Sequence, residues 1–178
     1  MRKLKMSELD RMSVDEFKSA EKTPIIVILD NVRSLNNVGA LFRTCDAFRI
    51  KKVILCGITA TPPHKEIQKT ALGSTLSVDW EYFESTQDVV KDLKSNGIKI
   101  IAVEQTENAT SLEKFKPESN TVYAVIFGHE VNGIAQQVLD ICDHWIEIPQ
   151  YGTKHSLNIS VSAGIVIWDL FKSLRLNQ

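Results

Sequence analysis

Short, almost wholly apolar runs separated by helical segments constrain this chain more than any other feature. Ile25-Ile-Val-Ile-Leu29 and Val53-Ile-Leu-Cys56 carry no polar residue on either side, so strands built from them must be covered on both faces. Ile98-Lys-Ile-Ile-Ala-Val103, Val122-Tyr-Ala-Val-Ile-Phe127 and Trp145-Ile-Glu-Ile148 continue the series. Between them the spacing predicts helices over residues 37–48, 65–72, 86–96 and 133–141, and a long apolar helix over 158–174. Ser85 with Asp88 three residues on is an N-cap pattern, and Gly97 stands where a C-terminal glycine belongs. Ser13-Val-Asp-Glu16 is a capping box opening a short helix. Strands of four to six residues alternating with helices give an α/β fold: a mostly parallel sheet flanked by helices. A short helical extension over 1–23 precedes one domain over 24–178, with no linker or repeat dividing it.

The 178 residues, 43% of them hydrophobic, can bury a sizeable core without disulfides or a structural metal. Cys45, Cys56 and Cys142 lie far apart with no Cys-x-x-Cys pair, which suits a reduced, cytoplasmic setting; no metal ligand set is expected. The early apolar run is too short for a signal sequence or a membrane span, and no membrane partner is expected. A net charge of −1 argues mildly against nucleic acid, but its distribution is uneven. Residues 33–69 hold seven basic and two acidic side chains, and residues 79–118 hold nine acidic and five basic ones. Solvated helix faces that average out account for this equally well.

Three strand-to-helix junctions concentrate polar and small residues, where ligands of open parallel sheets collect. No G-x-G-x-x-G follows the first strand and no Walker A lysine is present, which disfavours a dinucleotide or nucleotide-phosphate site. The first junction runs from Leu29 to Arg43. Asn36 or Asn37 can cap its helix, Gly39 and Ala40 allow close approach, and Arg43 is expected fairly near the capping face. Such a helix start suits an anion; a plain capped helix with a surface arginine fits the same residues. The second junction is Phe127-Gly-His-Glu-Val-Asn-Gly133, with Glu130 in the loop and Asn132 available as a cap. The third runs from Ile146 to Gly164, with Ser156 and Asn158 at the last helix start as caps or as ligand contacts. His155 is either a base or a hydrogen-bonded loop residue.

In this order the junctions resemble the three motifs of the SpoU–TrmH branch of the SPOUT RNA methyltransferases. Asn37-x-Gly-Ala-x-x-Arg43 is similar to the first, Gly128-x-Glu130-x-x-Gly133 to the second, and Ile148-Pro with Ser156-Leu-Asn158 to the third. The resemblance spans residues 24–174 and implies a SPOUT-type fold with a C-terminal trefoil knot, a homodimer and S-adenosylmethionine as cofactor. It places the cofactor on Gly128, Ile148 and Leu157, with Val103 added, and the chemistry on Arg43, Asn37, Glu130, Ser156 and Asn158. The implied reaction is 2′-O-ribose methylation of RNA.

Such a displacement needs an aligned oxygen that loses its proton as the bond forms. Arg43 either takes that proton as a neutral guanidine or, as a cation, positions a phosphate and stabilises developing alkoxide charge. The short N-terminal extension favours tRNA, with a D-loop guanosine as the specific expectation; a ribosomal-RNA site is the alternative, and a catalytically inactive RNA-binding module is a second. Trp168, Phe171 and Leu174 mark a stripe that serves either core or dimer contact.

Overall fold

The computed structural model describes residues 1–176, so the last two positions of the domain expected over 24–178 lie outside the described residues. In chain order the elements are α1 (Val14–Ser19), β1 (Thr23–Asp30), α2 (Leu35–Ala47), β2 (Ile50–Cys56), α3 (Lys65–Ala71), α4 (Ser74–Ser77), β3 (Trp80–Phe83), α5 (Thr86–Ser95), β4 (Lys99–Val103), β5 (Thr110–Ser111), β6 (Tyr123–Phe127), α6 (Gln136–Leu139), β7 (His144–Glu147) and α7 (Ile159–Phe171). The strands form one sheet in the order β3-β2-β1-β6-β4-β7-β5, and every pairing is parallel. All strand carboxyl ends therefore open on the same edge.

The central strands are buried on both sides, as their continuous apolar runs require. Ile25, Val27 and Leu29 face a layer formed by Val38, Leu41 and Phe42 of α2 with Val166, Ile167 and Leu170 of α7. Ile26 and Ile28 face the opposite layer, with Val89 and Val90 of α5 and Val138 of α6. Phe17 of α1 joins the first layer, so the N-terminal extension is tied to the domain core. Cys45 lies in the first layer, Cys56 and Cys142 in the second, and all three are free thiols. Burial pushes the Cys56 thiol up to about 11 and the Cys142 thiol up to about 12, so both stay protonated and inert near neutrality.

The capping box at Ser13 forms as expected, with Glu16 N–H on Ser13 Oγ and Glu16 Oε2 accepting Ser13 N–H at 2.7 Å. Ser85 caps α5, and Gly97 follows it with φ +77°. Several expectations need correction. Ser34, not Asn36 or Asn37, caps α2, because its hydroxyl accepts Asn37 N–H while the Asn37 amide is directed elsewhere. The helix expected over 133–141 shortens to α6, so Ala135, not Asn132, stands at its N-cap. The last helix ends at Phe171 and passes into a π-helical turn over Lys172–Leu176. Strands β3 and β5 were not expected from the pattern. β3 is a largely exposed edge strand and β5 has two residues, so neither carries a buried-strand signature.

Gly39 lets α2 meet α3 backbone to backbone. A Cβ there would fall 2.1 Å from Thr70 Oγ1 and 2.3 Å from the Ile67 carbonyl oxygen. Gly39→Ala is expected to cost about 1–3 kcal/mol, the scale of overpacking. Urea unfolding would show a lower midpoint with an unchanged slope.

Candidate active site

Three loops converge at the carboxyl edge of the sheet, and one carboxylate links them. Glu130, in the loop after β6, receives Arg33 N–H on Oε2 at 3.0 Å and Ser34 N–H on Oε1 at 2.9 Å. Asn37 Nδ2 donates to the same Oε1 at 3.1 Å. Asn37 Oδ1 then accepts from Asn158 Nδ2 at 3.3 Å. Asn158 is the N-cap of α7, its Oδ1 accepting Ser160 N–H at 2.9 Å and Ser160 Oγ–H at 2.6 Å. A continuous polar chain thus joins the β6 loop, the start of α2 and the start of α7.

Glu130 is the anion at the α2 start, where the unpaired N–H groups and the helix dipole favour negative charge. The N–H groups of Arg33 and Ser34 are therefore not free for another anion. Burial alone would raise the Glu130 carboxyl, but the N–H groups of Arg33 and Ser34 and the Asn37 amide outweigh it and hold it below the ordinary carboxylate range.

Beside this chain lies a cavity of about 360 Å³, a size that suits a small ligand. Val103, Gly128, Ile148 and Leu157 all line it, together with Glu130, Ser156 and Asn158. Phe127 and Ile159 add apolar wall. Asn37 and Arg43 are not on that lining. Asn37 is buried in the polar chain behind it, whereas Arg43 is exposed on α2. Six residues at about 100° each place Arg43 roughly 120° around the helix from Asn37, so the expected nearness to the capping face does not hold. Among the described residues no hydrogen bond or ion pair engages the Arg43 side chain. His155 sits in the exposed loop before α7, where its carbonyl accepts Gln105 Nε2 at 2.8 Å.

Two residues that the spacing did not single out shape the Glu130 loop. His129 Nδ1 accepts the N–H groups of Val131 and Asn132, and Glu104, from the end of β4, accepts Ile134 N–H at 3.0 Å. Glu104 gives no signal in the sequence, since its contact depends on the sheet order that puts β4 beside β6.

A family model described as the SpoU rRNA Methylase family matches residues 24–168. The 23S rRNA (guanosine-2′-O-)-methyltransferase RlmB of Neisseria meningitidis serogroup B is 29% identical over 153 residues, covering 86% of this chain and 60% of its own. The chain thus spans about three-fifths of the length of such relatives. Among solved structures, an A. aeolicus TrmH/SpoU tRNA modifying enzyme superposes with a TM-score of 0.79 and 25% identity, over 90% of this chain and 80% of that one. An AdoMet-bound rRNA methyltransferase from Sinorhizobium meliloti gives a TM-score of 0.78 at 24% identity, over 84% of this chain and 56% of that one, which speaks to the fold alone.

The lowered Glu130 carboxyl sets the sign of a stability effect. A folded-state value below the unfolded one stabilises the fold above the ordinary carboxylate range, and the gain is lost as pH falls through the folded value. Wild type is therefore expected to exceed Glu130→Gln in urea midpoint at neutral pH. The gap should close progressively below about pH 4, near the unperturbed glutamate value. Paired urea melts across that range check it; a gap independent of pH would contradict the assignment.

Proposed function

The chain belongs to the SpoU rRNA methylase family, and on that premise we propose that it transfers a methyl group from S-adenosylmethionine to a ribose 2′-hydroxyl of RNA. The observation that carries the reading is the cavity beside the Glu130–Asn37–Asn158 chain. Its size and its apolar walls from Val103, Phe127, Ile148, Leu157 and Ile159, with Gly128 on the lining, fit a nucleoside cofactor. The Sinorhizobium protein of the same fold is described as AdoMet-bound. When bound, the cofactor supplies an electrophilic methyl carbon on a sulfonium sulfur.

The residues of this chain then have distinct tasks. Val103, Gly128, Ile148 and Leu157 hold the cofactor. Glu130, Asn37 and Asn158 keep the two helix starts in register, and Ser156 stands at the cavity mouth. Arg43 acts on the ribose oxygen, either taking its proton or fixing a neighbouring phosphate and stabilising the alkoxide. Its exposed position leaves the guanidinium available to substrate.

The reading includes a homodimer. Val161, Ile165 and Trp168 stand 49%, 38% and 47% exposed at i, i+4 and i+7 on α7, an apolar stripe that water disfavours. Leu174 does not belong to it, being buried at 2% exposure, and Phe171 is half-buried. A C-terminal trefoil knot is also part of the proposal. In support, β7 lies between β4 and β5 although β5 comes more than thirty residues earlier, and beyond β7 the His155 carbonyl accepts Gln105 Nε2 of the 104–122 segment at 2.8 Å. The three free, buried thiols suit a reducing setting, and we place the activity in the cytoplasm.

tRNA, at a D-loop guanosine, is the first substrate to test, in keeping with the A. aeolicus enzyme described as tRNA modifying. Ribosomal RNA is the second, in keeping with RlmB.

Nucleoside mass spectrometry of RNA incubated with enzyme and labelled cofactor should show one new 2′-O-methylated nucleoside, expected as Gm in tRNA. A ribosomal product would replace the substrate and keep the chemistry; no product in either RNA would end the reading. Arg43→Lys removes the planar fork, and single-turnover methylation should fall at least about 100-fold with little change in cofactor affinity. Val161→Glu should shift the protein from dimer to monomer in sedimentation at micromolar concentration.

A further inference from the structure

The loop that carries Glu130 is organised by two side chains that the motifs do not specify, His129 within it and Glu104 from the end of β4. His129 Nδ1 accepts Val131 N–H at 3.0 Å and Asn132 N–H at 3.2 Å. Both donors need the Nδ1 lone pair, so the ring proton sits on Nε2. Gly133 N–H reaches the His129 carbonyl at 2.9 Å, and His129 N–H returns to the Gly133 carbonyl at 3.1 Å. Ile134 N–H reaches Glu104 Oε2 at 3.0 Å, while Glu104 Oε1 is tied to Gln105 N–H at 3.0 Å. The four successive N–H groups of residues 131–134 are thus all taken up by His129 and Glu104.

Space enforces the same arrangement. Gly133 has φ +65°, and a Cβ there would fall 2.2 Å from Glu104 Oε2. A Cβ at Gly128 would fall 2.4 Å from the Gly133 carbonyl carbon. Packing does not hold the tip, because Val131 is 78% exposed. Hydrogen bonding must hold it.

Successive main-chain N–H groups around a tight loop attract anions. Glu104 supplies the anion for one of the four, and the carboxylate next to them in the chain is Glu130, directly before Val131. If His129 and Glu104 did not occupy them, that carboxylate could fold back onto its own loop and abandon the N–H groups of Arg33 and Ser34. We propose that His129 and Glu104 are positioning residues for methyl transfer: by occupying the N–H groups of Val131, Asn132 and Ile134 their side chains keep the Glu130 carboxylate turned outward onto α2. The link to Asn37 and Asn158, and with it the mouth of the cavity, then stays in register. The catalytic consequence rests on the methyltransferase reading above; the brace itself does not.

The test compares His129→Ala with His129→Asn, because an asparagine side chain accepts the N–H two residues on and can replace the imidazole nitrogen. Amide exchange at Val131 and Asn132 should quicken about tenfold in His129→Ala, the factor for losing roughly one hydrogen bond, and stay near wild type in His129→Asn. Single-turnover methylation should fall about 30-fold or more in His129→Ala and recover to within about threefold in His129→Asn, with cofactor affinity changing less than about threefold in either. Glu104→Gln, which keeps one carbonyl acceptor in place of two carboxylate oxygens, should fall between them. Wild-type exchange and rate in His129→Ala, or equal losses in the alanine and asparagine variants, overturn the proposal. A wild-type protein that methylates no RNA defeats the methyltransferase reading instead, and the exchange pattern still decides whether the brace exists.

Discussion

Main-chain N–H groups hold a carboxylate more rigidly than a flexible basic side chain would, and the Glu130 contact with Arg33 and Ser34 uses that rigidity to join the two halves of the site. The contact spans about a hundred residues of sequence, yet it forms because β1 and β6 are neighbours in the sheet. Each strand delivers its following loop to the same edge, and the loops meet where the strand order brings them. Asn37 extends the link to Asn158, which in turn caps the last helix. One ionised group therefore sets the relative position of the starts of α2 and α7. Hydrophobic burial of the central strands supplies the stability, and the polar chain converts that stability into a defined geometry.

Much of this was legible because period and composition agreed. The continuous apolar runs of β1 and β6 demand cover on both faces, and α2, α5 and α7 supply it. Glu130, Asn37 and Asn158 stood out as polar residues at junctions where ligands collect, and the structure joins them. What escaped was decided by tertiary context. Ser34 and Asn37 are both competent caps, and only the placement of Glu130 selects the serine. β3 carries exposed Tyr82 and Phe83, so its edge position erases the buried-strand pattern. The bracing role of Glu104 depends on a strand order that no local signal encodes.

Charge shows the same limit of counting. The basic excess over residues 33–69 shrinks once the pairs are drawn, since Lys52 meets Glu81 from outside the segment at 2.9 Å, while Lys69 meets Glu66 within it at 2.7 Å. Arg33, Arg43, Lys51 and Lys65 remain exposed, and among the described residues none is in an ion pair. Lys51, at the start of β2, lies at the opposite edge from the strand carboxyl ends, so the unscreened cations do not form one broad basic face. Exposed pairs of this kind add little stability, but they do set which cations a phosphate can reach.

The distribution of the thiols has a use of its own. Cys45 is sealed in the layer beneath α2 and α7, while Cys56 and Cys142 are sealed in the layer beneath α5 and α6. With their protons held by burial, none reacts until its layer parts from the sheet. The native chain therefore carries an intrinsic two-channel clock. The rate at which a thiol-specific dye marks Cys45 times the opening of one side, and the rates at Cys56 and Cys142 time the other, without any label being introduced into the fold.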